Sequence, residues 1–134
     1  MFMKKMLFLI LLAFIIIGCS KDDNIDNTEY YVKYEVSCQF KRYYGSYRGS
    51  SIKIAGTGVR SAAVENKYNN YSWSDVAGPF KKGDKVTLSV ITSAPEGANY
   101  ITDAKISVCK ETSPFVAKRW SNTRGSASLS YIIE

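Results

Sequence analysis

The chain has 134 residues, enough for one domain with a core of its own. Its 18 Lys and Arg against 12 Asp and Glu give a net charge of +6, and it contains no histidine. The missing imidazole excludes Ser-His-Asp and Cys-His catalysis and any His-ligated zinc site.

At the start, Lys4 and Lys5 precede an unbroken apolar run from Met6 to Ile17, followed by Gly18-Cys19. A basic start and a short apolar stretch form the pattern of an export signal. The run is shorter than the roughly 20 apolar residues that cross a bilayer. Ile16-Ile17-Gly18-Cys19 resembles the lipobox of bacterial lipoproteins; an ordinary secretory signal with an incidental cysteine is the other reading. The resemblance implies that residues 1–18 are removed, that the Cys19 sulfur carries diacylglycerol, and that the new amino terminus is acylated too. Each buried methylene contributes about 0.8 kcal/mol, so two or three acyl chains hold a protein firmly on a membrane. Ser20-Lys21-Asp22-Asp23 is similar to the acidic export tag of surface lipoproteins of the Bacteroidetes. That implies an outer-membrane, cell-surface location, with a periplasm-facing domain as the alternative. Residues 19–29 read as the lipidated cysteine and a polar tether.

Residues 30–134 read as the folded domain, because apolar and polar residues alternate with period two and no helical stripe appears. Tyr31 to Phe40 places Val32, Tyr34, Val36, Cys38 and Phe40 on one face and Lys33, Glu35, Ser37 and Gln39 on the other. Ser51–Ala55, Val59–Glu65 and Tyr71–Val76 follow, the last with Trp73 assigned to the core. Lys85–Thr92 points Val86, Leu88 and Val90 inward. Ile101–Lys110 does the same with Ala104, Ile106 and Val108. Phe115–Trp120 reads as an edge strand, Ser121–Gly125 as a loop, and Ala127–Ile133 closes the domain. Asp75, Asp84, Glu96 and Asp103 are expected near turns. About seven short strands separated by turn signals predict an all-β fold, an immunoglobulin-like antiparallel two-sheet sandwich.

Cys38 and Cys109 invite a disulfide in an exported protein. Their phases oppose it, with Cys38 inward and Cys109 outward beside Lys105 and Ser107, so two unpaired thiols are expected, one buried and one exposed. From Thr28 onward fifteen Lys and Arg stand against nine Asp and Glu. This scattered excess suits either acidic glycans and lipid headgroups or a plainly soluble surface. An exported location disfavours nucleic acid.

The order of features, from Tyr31-Val32-Lys33-Tyr34-Glu35-Val36 through Trp73, Gly78-Pro79-Phe80-Lys81-Lys82-Gly83-Asp84 and Ala104-Lys105-Ile106-Ser107-Val108 to Ser128-Leu129-Ser130-Tyr131-Ile132, resembles small uncharacterised lipoproteins of gut Bacteroidetes. More distantly it is similar to the immunoglobulin-like domain of the mycobacterial MmpS family. That likeness implies an accessory role beside exporters, but it rests on strand and turn residues and assigns no site.

Candidate binding residues are Arg42, Tyr43, Tyr44, Tyr47 and Arg48, where tyrosines offer stacking faces and arginines paired donors. Tyr68 to Trp73 is a second patch, with Trp73 as a core anchor the favoured reading, and Lys118-Arg119-Trp120 a third, which a solvated edge explains equally well. No carboxylate pair, metal-ligand set or phosphate loop stands out, so no catalytic residue, metal or cofactor is expected. The expectation is therefore a non-catalytic, lipid-anchored binding or adhesion module for a glycan or protein ligand. The alternative is an accessory subunit of an envelope transport-type complex.

Overall fold

A computed structural model of the chain describes residues 26–42, 49–65 and 69–134. The inward sets of the sequence pattern become the filling between two antiparallel sheets of four strands. The strands are β1 (Tyr30–Arg42), β2 (Ser51–Gly56), β3 (Ala62–Glu65), β4 (Tyr71–Phe80), β5 (Lys85–Ser93), β6 (Ala98–Lys110), β7 (Val116–Arg124) and β8 (Ala127–Ile132). The first sheet runs β4-β1-β6-β7 and the second β3-β2-β5-β8. Among the described residues there is no helix, hence none long and apolar enough to cross a membrane.

Only β2–β3 and β6–β7 are hairpins; every other connection passes from one sheet to the other. The β2–β5 pair and the β6–β7 hairpin keep the places they have in an immunoglobulin domain, while β1 stands beside β6 where such a domain has its third strand. Between the sheets, Val32, Tyr34, Val36 and Cys38 of β1 meet Ile52 and Ile54 of β2, Val86, Leu88 and Val90 of β5, and Ala104 and Ile106 of β6. Trp73 and Phe40 pack half-buried against this core. The Tyr34 hydroxyl crosses the sandwich and donates to the Thr57 carbonyl at 2.8 Å, just past the end of β2.

Three segments differ from expectation for nameable reasons. β4 continues through Gly78-Pro79, because these two residues oppose Tyr31 alone and form a bulge on an edge strand, where a proline needs no ladder partner. β7 extends to Arg124 because its polar residues still pair with Ile101, Thr102 and Asp103. β6 starts at Ala98, so Asp103 lies in mid-strand and not near a turn.

Cys38 and Cys109 are both free. They occupy opposite faces as expected, but Cys109 is only 6% exposed. It sits opposite Tyr31 and against the turn after β6, its Sγ 3.9 Å from the Glu111 carbonyl. The expected exposed thiol is thus a buried one.

The segment before β1 is held between two turns at one end of the sandwich. Lys81 Nζ donates to the Asn27 carbonyl at 3.2 Å, and the Glu111 N–H to the Glu29 carbonyl at 2.8 Å. Arg42 ends β1 at the opposite pole, about 40 Å away at the usual strand rise.

Candidate functional site

The outer face of the first sheet carries residues that the alternation excludes from the core. Register brings them into rows. Ser72 of β4, Ser37 of β1, Asp103 of β6 and Asn122 of β7 form one; Ser74, Glu35, Lys105 and Trp120 form the next. Gln39 and Ile101 stand side by side above Ser37 and Asp103.

Trp120 dominates this face because it is both exposed and held. Its residue surface is 63% accessible. Its indole Nε1 donates to the Asp103 carboxylate, 3.0 Å from Oδ1 and 3.1 Å from Oδ2. Asn122 Nδ2 donates to the same Oδ2 at 3.2 Å. One carboxylate thereby fixes the edge of the ring and the amide of its neighbour, while the ring itself remains in water. Beside them Ser37, Gln39, Ile101, Asp103 and Asn122 enclose a depression of about 310 Å³, near the lower limit of small-ligand sites. Ile101 contributes the apolar part of its lining; the remainder is hydroxyl, amide and carboxylate.

The charges around the depression largely cancel. Glu35 accepts from Lys105 at 2.8 Å and pairs with Lys33 at 3.1 Å. Hydrogen bonding from Lys105 is the largest influence and holds the Glu35 carboxyl below its usual range; burial opposes it, and a weaker hydrogen bond from Lys33 adds to the lowering. Farther along β6 on the same face, the Asn99 Oδ1 is buried and finds no hydrogen-bond partner among the described residues. Buried acceptors are rarely left so.

A larger depression, about 430 Å³, opens between β7 and β8 at the pole where the chain arrives; Tyr30, Val108, Val116 and Ile133 line its apolar part, with Lys110 and Lys118 beside them. Of its cations, Lys118 already has a neighbour, and Arg119 stands beside it on β7. Arg119 faces the core side of β7 opposite Ile106, donates from Nε to the Ser130 carbonyl at 3.2 Å and lies 5.7 Å from the Tyr131 ring centroid. Lys118 Nζ lies 6.0 Å from the same ring. These contacts cover the open edge of the sandwich and join its two sheets.

Of the residues singled out in the sequence, Arg42 is exposed at the end of β1, paired across to Ala98. Cys19, Tyr43, Tyr44, Tyr47 and Arg48 lie outside the described residues, as does Tyr68. The patch Lys118-Arg119-Trp120 divides: Trp120 joins the outer face, whereas Arg119 reaches across the open edge to Ser130 of β8. Asp103, Asn122 and Ile101 were not singled out. The signal was available in the phase of β6, since an inward Ala104 forces Asp103 outward. Asn122 was hidden because its stretch reads as a polar loop.

Comparison with protein-family models, with curated proteins and with solved structures finds no match for this chain.

Proposed function

We propose that the protein is a non-catalytic binding module, held on the outer membrane by lipid on Cys19, with the outer face of the first sheet around Trp120 as its contact surface. The observation that carries this is Trp120 itself. A large aromatic side chain strongly favours leaving water, and a buried one can contribute more than 150 Å² of contact. Here Asp103, itself bonded by Asn122, fixes it in the open instead. Exposed and oriented aromatics are the usual anchors of recognition surfaces, because little conformational entropy remains to be lost on binding. Ser37 and Gln39 of this face lie in the half of β1 toward Arg42, and Trp120 stands level with Glu35 near mid-strand, so a domain tethered through the segment before β1 can present them outward.

Two experiments test the two halves. Cells grown with labelled palmitate should label the parent chain and leave a Cys19→Ala variant unlabelled; an unlabelled parent refutes the anchor. Beads coated with the mature protein should be retained on mucin, cell-wall or matrix-protein surfaces. Retention should fall with Trp120→Ala while the urea midpoint stays the same. Equal retention by parent and variant refutes the contact face.

A further inference from the structure

We infer that the depression beside Trp120 is a site for one ring of a neutral glycan. The inference rests on the Trp120 face being the contact surface and adds the class of ligand it takes. A pyranose ring has two kinds of surface: patches of C–H on its faces and hydroxyls around its edge that both donate and accept. The depression has the matching pair. Ile101 supplies apolar lining, and Ser37, Gln39, Asp103 and Asn122 supply hydrogen-bond partners; the Trp120 indole, held on the Asp103 carboxylate, adds an apolar surface outside the lining.

Much of that polar capacity is free. No hydrogen bond to another described residue engages the Ser37 hydroxyl or the Gln39 amide. Asn122 uses its amide N–H on Asp103 and keeps its carbonyl oxygen. The Asp103 carboxylate accepts from Trp120 and Asn122 and retains lone-pair capacity on Oδ1. One sugar hydroxyl can donate to the acid and a neighbouring one to the Asn122 carbonyl, while either accepts from the Gln39 amide.

Charge decides against an acidic sugar. The carboxylate forms one wall of the depression, so an anionic ligand would meet like charge at close range. The nearby lysines Lys33 and Lys105 already pair with Glu35. The +6 of the chain is therefore not focused here.

The test uses the mature full chain in detergent and an array of neutral and acidic oligosaccharides, followed by titration with neutral hexasaccharides (gluco-, xylo-, manno- and N-acetylglucosamine-based). Binding is read by calorimetry for every variant, and emission is read in addition in a Trp73→Phe background, where Trp120 is the one tryptophan. A neutral glycan should bind and shift this emission to the blue, and Trp120→Ala and Asn122→Ala should each weaken binding at least tenfold. All three substituted side chains lie at the surface or half-buried, and equal urea midpoints show that folding is intact. Three results overturn the inference: no neutral glycan binding at millimolar concentration, binding that survives both substitutions within twofold, or binding restricted to acidic glycans. Trp120-dependent retention on a matrix-protein surface without any neutral-glycan binding would leave the contact face standing and remove the sugar site.

Discussion

Replacing Tyr34 by phenylalanine deletes one oxygen from the middle of the sandwich and nothing else. The ring is fully buried on β1, and its hydroxyl donates to the Thr57 carbonyl of the segment after β2. The bond therefore joins one sheet to the other. A net hydrogen bond of this kind contributes about 1 kcal/mol, and an abandoned carbonyl adds about 1–3 kcal/mol if it stays dry. Thr57 is only half-buried, so water can reach its carbonyl and the cost should stay near the lower figure, about 1–1.5 kcal/mol. Tyr34→Ala instead empties the volume of a buried aromatic ring and should cost about 3–5 kcal/mol. Urea unfolding of the three proteins at neutral pH, with slopes compared to verify a common unfolding transition, measures both differences. In thermal melts the phenylalanine variant should lose roughly 4–8 °C. If the phenylalanine variant matches the parent, the cross-sheet bond contributes nothing. If it is as unstable as the alanine variant, the ring is not what fills the site. Either result refutes the reasoning.

Three other outcomes are expected. Gly78→Ala should cost at least about 2 kcal/mol in urea unfolding, because φ is +139° and a Cβ would lie 2.9 Å from the Tyr30 carbonyl oxygen; Gly83→Ala, at φ +92° with nothing within 4 Å, should cost only about 1 kcal/mol, and equal losses would mean that the close approach is relieved without penalty. Burial pushes the Cys38 thiol above its ordinary range, with a smaller opposing effect of Thr102, so the folded chain keeps a proton that the unfolded chain releases. Stability should then be full below about pH 8.5 and fall as pH rises beyond it, and guanidinium midpoints from pH 7 to 10 should decline less steeply for Cys38→Ala than for the parent. Finally, iodoacetamide should leave Cys38 and Cys109 unmodified in the native protein and alkylate both in denaturant without reductant; by mass, an unalkylated pair in denaturant would mean that the two are bonded.

The inward sets along β1, β5 and β6 were legible from the chain alone, because side chains on a strand must alternate and the hydrophobic effect sorts the alternating sets. Val32, Tyr34 and Val36 of β1 and Val86, Leu88 and Val90 of β5 all lie where that rule puts them. Strand ends were harder. Ser121 to Arg124 is polar and reads as loop, yet it is strand, because β6 offers it a ladder; local composition carries no record of a partner about twenty residues away. Cys109 shows the same limit from the other side, since its outward phase was readable but the turn and the opposite Tyr31 that cover it were not.

Sequence by itself determined the fold class, the inward sets of β1, β5 and β6 and the exclusion of imidazole chemistry, all of which depend on residue type or on neighbours two places apart. Tertiary structure decided the strand order and with it the candidate site. Ser37, Asp103 and Asn122 form one row only because β1, β6 and β7 pair in that register. A shift of one residue in either pairing would leave the composition unchanged and send Asp103 and Trp120 to different neighbours.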